Sequence, residues 1–277
     1  MAKSKFLDIV LHKYLKAPYT LNTYEFQSPK RPRATFVFIH GIGNTLHSWD
    51  DVVAGMPRDV RIIGIDLLGF GNSPKPEWAM YNAKTQARSI GITLLGLRLA
   101  QQPIVVGHSL GSLVAVEVAK RYTLLIRSLV LCSPPFYKPE VPTTGLKKTA
   151  DDMLRELYRT AKKHPEQLEK LSPLAVKLGL ANKSLNVTQD NVVSYFAALE
   201  SSIINQTSLQ DITKVRIPID IFYGVFDPVV INKHIVALAA EHENITAKRL
   251  MVGHEVVGSY AKTLSNYLSA LSTEKSQ

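Results

Sequence analysis

The chain has 277 residues, 45% of them hydrophobic, which suits one large α/β domain with a full core. Its single cysteine, Cys132, excludes an intramolecular disulfide, and no uninterrupted apolar run is long enough for a secretory leader or a bilayer span, so the expectation is a soluble cytoplasmic protein. The formal charge of +10 is uneven: residues 1–33 carry seven Lys or Arg against two acids, residues 134–212 carry ten against nine, and no basic stripe interleaved with aromatics argues for nucleic acid as a partner.

The N-terminal arm, residues 1–18, places Phe6, Leu7, Val10, Leu11, Tyr14 and Leu15 at helical spacing beside lysines. Such a stripe either packs on the domain or gives weak contact with an anionic membrane surface. Pro18 ends the pattern. Residues 19–26 read as extended, and Pro29 to Pro32 as a turn. Residues 34–39 form a β-rich run, apolar enough to be buried on both faces, that leads into His40-Gly41-Ile42-Gly43. A helix over residues 46–56 and a strand over 60–65 follow, the strand leaving through a glycine-punctuated loop from Asp66 to Ser73. Residues 82–101 read as a helix with two interior glycines, Gly91 and Gly96.

The stretch Ile104-Val105-Val106-Gly107-His108-Ser109-Leu110-Gly111 then joins a β-branched run to a helical one through Gly-x-Ser-x-Gly. A strand that turns sharply into a helix holds the serine in a strained conformation with its hydroxyl exposed, and glycines on either side let the backbones pass. One more buried strand spans residues 127–131.

From Pro134 to Thr213 strand signals vanish and helical periods take over: Met153, Leu154, Leu157, Tyr158 and Ala161 in one segment, and Val192, Tyr195, Phe196, Leu199 and Ile203 in another. Pro165 and Pro173 divide them, and Thr188 reads as an N-cap. Some eighty residues without strands imply a helical lid inserted between two core strands. The division is therefore a core in two parts, 1–133 and 214–277, with the lid at 134–213. The α/β rhythm resumes with a strand at 217–223, Asp227 beyond it, a helix near 231–243, a strand near 245–252, His254, and a C-terminal helix. Strands alternating with helices imply a mainly parallel, doubly wound sheet whose ligands sit at the carboxyl ends of the strands.

Three of those ends carry the side chains of acyl transfer. A serine hydroxyl is nearly inert near neutral pH and needs a base; His254 follows the last strand, and Asp227, at the exit of the strand before it, is placed to fix the imidazole tautomer. The backbone N–H groups of Ile42 and Leu110 would form an oxyanion hole, each donor worth roughly 2.7–4 kcal/mol in the transition state. Each assignment has a duller rival: a turn serine, an Asp227 that caps a helix before Pro228, and a structural histidine.

On five pieces in order, His40 to Gly43, Asp66 to Ser73, Gly107 to Gly111, Gly224 to Pro228 and Gly253-His254, the chain resembles an α/β-hydrolase-fold serine hydrolase with a helical cap. The resemblance covers residues 19–270. It implies a lidded acyl pocket, no metal and no organic cofactor. Cys132-Ser133, where some members place the triad acid, offers no carboxylate, which strengthens Asp227. His40, Gly41, His108, Phe136, Tyr137 and Tyr195 are candidate substrate-side residues, although His40 suits orientation of the oxyanion loop, His108 the pocket floor, and aromatics at helical spacing the lid core. Asp66 reads as a loop-fixing acceptor and Glu117 as lying off the reaction. The expected partner is a small-molecule ester or acyl substrate. Carboxylic ester hydrolysis leads; thioesterase, carbon–carbon bond hydrolase and acyltransferase chemistry share the triad, and a non-catalytic ligand receptor is the rival from another class. The sequence carries no sign of oligomeric state.

Overall fold

The computed structural model describes residues 6–138 and 190–273. Seven strands form one sheet: β1 (Thr23–Gln27), β2 (Thr35–Ile39), β3 (Arg61–Ile65), β4 (Ile104–His108), β5 (Ser128–Cys132), β6 (Ile219–Gly224) and β7 (Ile245–Leu250). Their spatial order is β1-β3-β2-β4-β5-β6-β7, with β1 antiparallel to β3 and every other pair parallel.

Alternation of side chains builds a core on each face. From β2, Val37 and Ile39 point into one cluster with α2 (Ala83–Gly96), α3 (Leu110–Arg121) and α5 (Asn232–Glu241). Phe36 and Phe38 point into the other, with α1 (Asp50–Ala54) and α6 (Ser259–Leu271). Helices on both faces make the sheet doubly wound, and β2, β4 and β5 are buried along their whole length, as a parallel interior strand must be. The chain leaves β2 toward β3 on one side and returns to β4 on the other. The carboxyl ends of β2 and β4 therefore frame a topological switch point, where ligands of open α/β sheets bind.

Several boundaries differ from the sequence expectation. The helix expected over residues 46–56 is a 3₁₀ turn, Leu46–Trp49, followed by the short α1. The helix expected to reach residue 101 stops at Gly96, and β7 stops at Leu250. The arm is helical from residue 6, with a π-helical stretch over Ile9–Tyr14, and no residue of that stretch is buried. Of the segment expected to be a lid, residues 139–189, with Met153 through Ala161, Pro165, Pro173 and Thr188, lie outside the described residues. Within it, α4 (Val192–Ala198) continues into a π-helix over Leu199–Ile204. Among the described residues no helix is long and apolar enough to cross a membrane.

Candidate active site

Ser109 sits between β4 and α3 with φ 51° and ψ −118°, a conformation costing a non-glycine residue about 1–3 kcal/mol. The surroundings hold it there. A Cβ on Gly107 would lie 2.6 Å from the Gly111 carbonyl oxygen, and one on Gly111 would lie 2.3 Å from the Ile39 carbonyl oxygen, so neither position admits a side chain. The Ser109 N–H donates to the Cys132 carbonyl at 2.9 Å, and the Ser112 hydroxyl donates to the Gly107 carbonyl at 2.8 Å.

β6 and β7 deliver the other two groups. His254 Nε2 lies 3.0 Å from Ser109 Oγ, and His254 Nδ1 lies 2.8 Å from Asp227 Oδ2. The second Asp227 oxygen, Oδ1, accepts from the N–H groups of Val229 at 2.9 Å and Val230 at 3.2 Å. Asp227 is thus a cap and a histidine partner at once: one oxygen fixes the turn, which aims the other. Burial works to raise the Asp227 pKa, but the hydrogen bond and charge of His254 and the two amides outweigh it and hold the carboxyl below its ordinary value. Burial works to lower His254, but the Asp227 bond and charge, with Glu255 adding to them, raise it above the ordinary histidine value. Ser109 and Asp227 are 6% and 7% exposed, so these hydrogen bonds are only weakly screened by water.

The loop after β2 closes over the elbow. Gly41 packs so tightly that a Cβ there would approach His108 Nδ1 to 3.0 Å and Ser109 Cβ to 3.3 Å. His40 is fully buried and its protonation is readable from its partners: Leu67 N–H donates to Nε2 at 3.0 Å, so Nδ1 carries the proton and donates to the Gly41 carbonyl at 2.7 Å. Burial keeps this ring neutral. Among the described residues neither the Ile42 nor the Leu110 N–H is paired with a protein acceptor, and Leu110 begins α3, where helical N–H groups lack intrahelical partners. His108 donates Nε2–H to the His254 carbonyl at 3.0 Å, and burial, with His254 nearby, pushes its pKa down to about 3. His108 thereby braces the backbone of His254.

The aromatic candidates are placed differently. Phe136 and Tyr137, 1% and 2% exposed, pack in the core. The Tyr137 hydroxyl donates to the Val229 carbonyl at 2.6 Å, and His234 Nδ1 donates to the Phe136 carbonyl at 2.7 Å, so this segment ties the β5 exit to the Asp227 turn. Tyr195 is half-buried on α4, edge-on to Phe196, and burial with nearby Glu255 pushes its phenol up to about 12. Asp66 accepts from the N–H groups of Leu46 and Asn72 and from the Asn22 amide, which fixes its loop. Glu117 lies on α3, paired with Lys120 and Arg121. Donor atoms of His108, His254 and Glu255 lie within 4.8 Å of one another, near enough to share a metal ion, yet both ring nitrogens of His254 are engaged by Ser109 and Asp227. Glu255 and the Val229 and Val230 amides escaped the sequence reading. The Asp-Pro-x-x pattern carries the signal for the amides, because an Asp side chain commonly accepts from N–H groups two residues on.

A mainly parallel, doubly wound sheet with a strained serine between strand and helix, a histidine and an aspartate at successive strand exits defines the α/β-hydrolase class of architecture. The alpha/beta hydrolase fold family's sequence profile matches residues 34–256, and the chain belongs to that family. It is 32% identical over 125 residues to the probable lysophospholipase BODYGUARD 4 of Arabidopsis thaliana, a match covering 44% of this chain and 30% of that protein. The match therefore spans under a third of that relative. Among solved structures, an esterase from Exiguobacterium antarcticum superposes with a TM-score of 0.72 at 16% identity, covering 92% of this chain and 96% of that one. The enol-lactonase from Burkholderia xenovorans LB400 superposes with a TM-score of 0.70 at 17% identity and the same coverage. These likenesses speak to the fold.

Proposed function

We propose that the protein is a serine hydrolase that cleaves carboxylic esters of an acyl substrate through an acyl-enzyme on Ser109. The observation that carries this reading is the unbroken run from Ser109 Oγ to His254 Nε2 at 3.0 Å and from His254 Nδ1 to Asp227 Oδ2 at 2.8 Å. Ser109 Oγ attacks the ester carbonyl carbon as its proton passes to His254 Nε2. The carbonyl oxygen becomes an oxyanion held by the Ile42 and Leu110 N–H groups, and Asp227 stabilises the imidazolium without taking its proton. On collapse, the C–O bond to the alcohol breaks and His254 protonates the departing oxygen. A water molecule then gives a proton to His254 and attacks the acyl carbon, and Ser109 leaves with that proton restored. No step needs a redox partner.

Support for an acyl substrate comes from the similarity to proteins named probable lysophospholipases. The test is a panel of esters of graded acyl length, assayed with the native protein and with Ser109→Ala. Turnover should fall on the order of 10⁴-fold or more in the variant, with its melting temperature unchanged. A rate that survives the substitution refutes the reading.

A further inference from the structure

The arm and the start of α2 enclose a cavity of about 300 Å³ whose chemistry the ester-cleaving reading does not use. Its wall carries Lys16, Lys84, Arg88 and His12 with the aromatic rings of Tyr19 and Trp78, and among the described residues no acid lines it. Among the described residues neither Lys16 nor Lys84 lies within ion-pair distance of a carboxylate; the acid close by, Asp8, faces His12 at 3.7 Å. The wall is built rather than loose. His12 stacks on Tyr19 with ring centroids 3.7 Å apart and donates Nδ1–H to the Ala17 carbonyl at 2.8 Å, and Arg88 donates to the Lys16 carbonyl at 2.8 Å. Tyr19 is 8% exposed, and its buried hydroxyl faces the Trp78 indole nitrogen and the Asp8 carboxylate. Burial, with Asp8 adding to it, pushes the Tyr19 phenol up to about 12, so it remains a donor at neutral pH. The N-terminus of the fourteen-residue α2, positive by its dipole, opens on the same cavity through Asn82, Lys84 and Thr85.

The arm around this mouth presents apolar side chains to solvent. Phe6 and Tyr14 are each 69% exposed, Leu15 is 67% exposed, and Leu7, Leu11 and Met80 are exposed as well. Lys13 stands among them, 5.8 Å from the Trp78 ring centroid. Exposed apolar side chains on a helical segment flanked by cations suit the interface of a bilayer, where the apolar part enters the acyl boundary and the cations meet anionic headgroups. A twofold contact between copies of the chain would set these cations against one another. We propose that the arm and the start of α2 form a docking site for an anionic phospholipid bilayer, with a lipid phosphate seated between Lys16, Lys84, Arg88 and the α2 N-terminus.

The docking site is independent of the triad, and its test uses the full chain carrying Ser109→Ala, so that no lipid is consumed and a failed hydrolase reading leaves the result intact. Co-sedimentation with vesicles of equal phosphatidylglycerol and phosphatidylcholine should exceed that with phosphatidylcholine alone at least tenfold in affinity, and should weaken as salt is raised. Lys16→Gln with Lys84→Gln should weaken binding to the anionic vesicles roughly 25-fold, about fivefold for each cation removed. Leu11→Ser with Leu15→Ser, a pair outside the cavity, should weaken it by an order of magnitude or more at constant charge. Equal binding to both vesicle types, or affinity unchanged in either pair of variants, overturns the proposal. So does capture of inorganic phosphate without vesicle binding, or a concentration-dependent dimer that Leu11→Ser and Leu15→Ser dissolve in a protein that ignores vesicles.

Discussion

His254 accepts the Ser109 proton only when neutral, and the Asp227 bond raises its pKa above the ordinary value near 6.5. In the proposed mechanism, activity therefore climbs with pH through that raised value, and the acid limb of kcat/KM should have its midpoint above 6.5. Asp227→Asn removes the group that raises it; the midpoint should move to lower pH while kcat drops on the order of 10³-fold or more. A profile unmoved by that substitution would detach Asp227 from His254. His108 acts through the backbone. Its replacement by alanine leaves the His254 carbonyl without its donor, so a loss of about 1–3 kcal/mol in stability and a lower kcat at unchanged KM are expected from denaturant melts and steady-state assays. The convergence of Ser109, Asp227 and His254 was legible in the sequence because each follows a strand within four residues, in a short recognisable string. What His108 holds was not, because its partner is the carbonyl of residue 254, 146 positions away.

At the scale of elements, α2 separates two kinds of glycine that read alike in the sequence. A Cβ on Gly91 would stand 2.6 Å from the Tyr122 ring, whereas a Cβ on Gly96 would meet nothing within 4 Å. Gly91→Ala should therefore destabilise the fold by about 1–3 kcal/mol through overpacking. Gly96→Ala should be neutral or stabilise it by up to about 1 kcal/mol, because alanine loses less backbone freedom. Thermal melts of the two variants settle the contrast, and equal shifts would mean that close packing is not why Gly91 is there. The same helix ends before its apolar period does: the period continues through Leu97 and Leu99, yet α2 stops at Gly96 and Arg98 adopts φ 45°, a left-handed turn that side-chain spacing does not reveal. The helical phase of the arm was legible as a pattern, but its pattern left open whether it packs or faces solvent. The structure leaves the arm's Ile9–Tyr14 stretch without a buried residue.

Across the whole molecule, alternation of strands and helices was enough to expect a mainly parallel, doubly wound sheet, while the strand order and the antiparallel edge strand β1 depend on contacts between distant residues that local periodicity does not encode. Folding also binds the molecule to a pH range. His108 has its pKa depressed from about 6.5 to about 3, chiefly by burial, so the native state favours its neutral form. The stability this contributes is fully present above pH 6.5 and is lost as pH falls toward 3. Asp211 acts in the same direction lower down. Burial opposes its ionisation, but hydrogen bonds from Thr207, Lys120 and Lys214 outweigh it and bring the carboxyl to about 2, so its contribution is present above its ordinary value of 3.8 and fades below it. Stability should therefore fall from pH 6.5 downward, and His108→Gln should flatten the upper part of that decline in melts taken at successive pH values. An unchanged slope would mean that His108 is not held neutral by the fold.

The most direct measurement is covalent labelling of the 277-residue protein by a fluorophosphonate, followed by intact mass and peptide mapping. One equivalent of label should attach to Ser109, none should attach to Ser109→Ala, and the labelling rate should collapse in His254→Ala and follow the deprotonation of His254 in the native protein. Label at another residue, or labelling of Ser109 at the same rate with and without the His254 imidazole, would contradict a hydroxyl activated by His254.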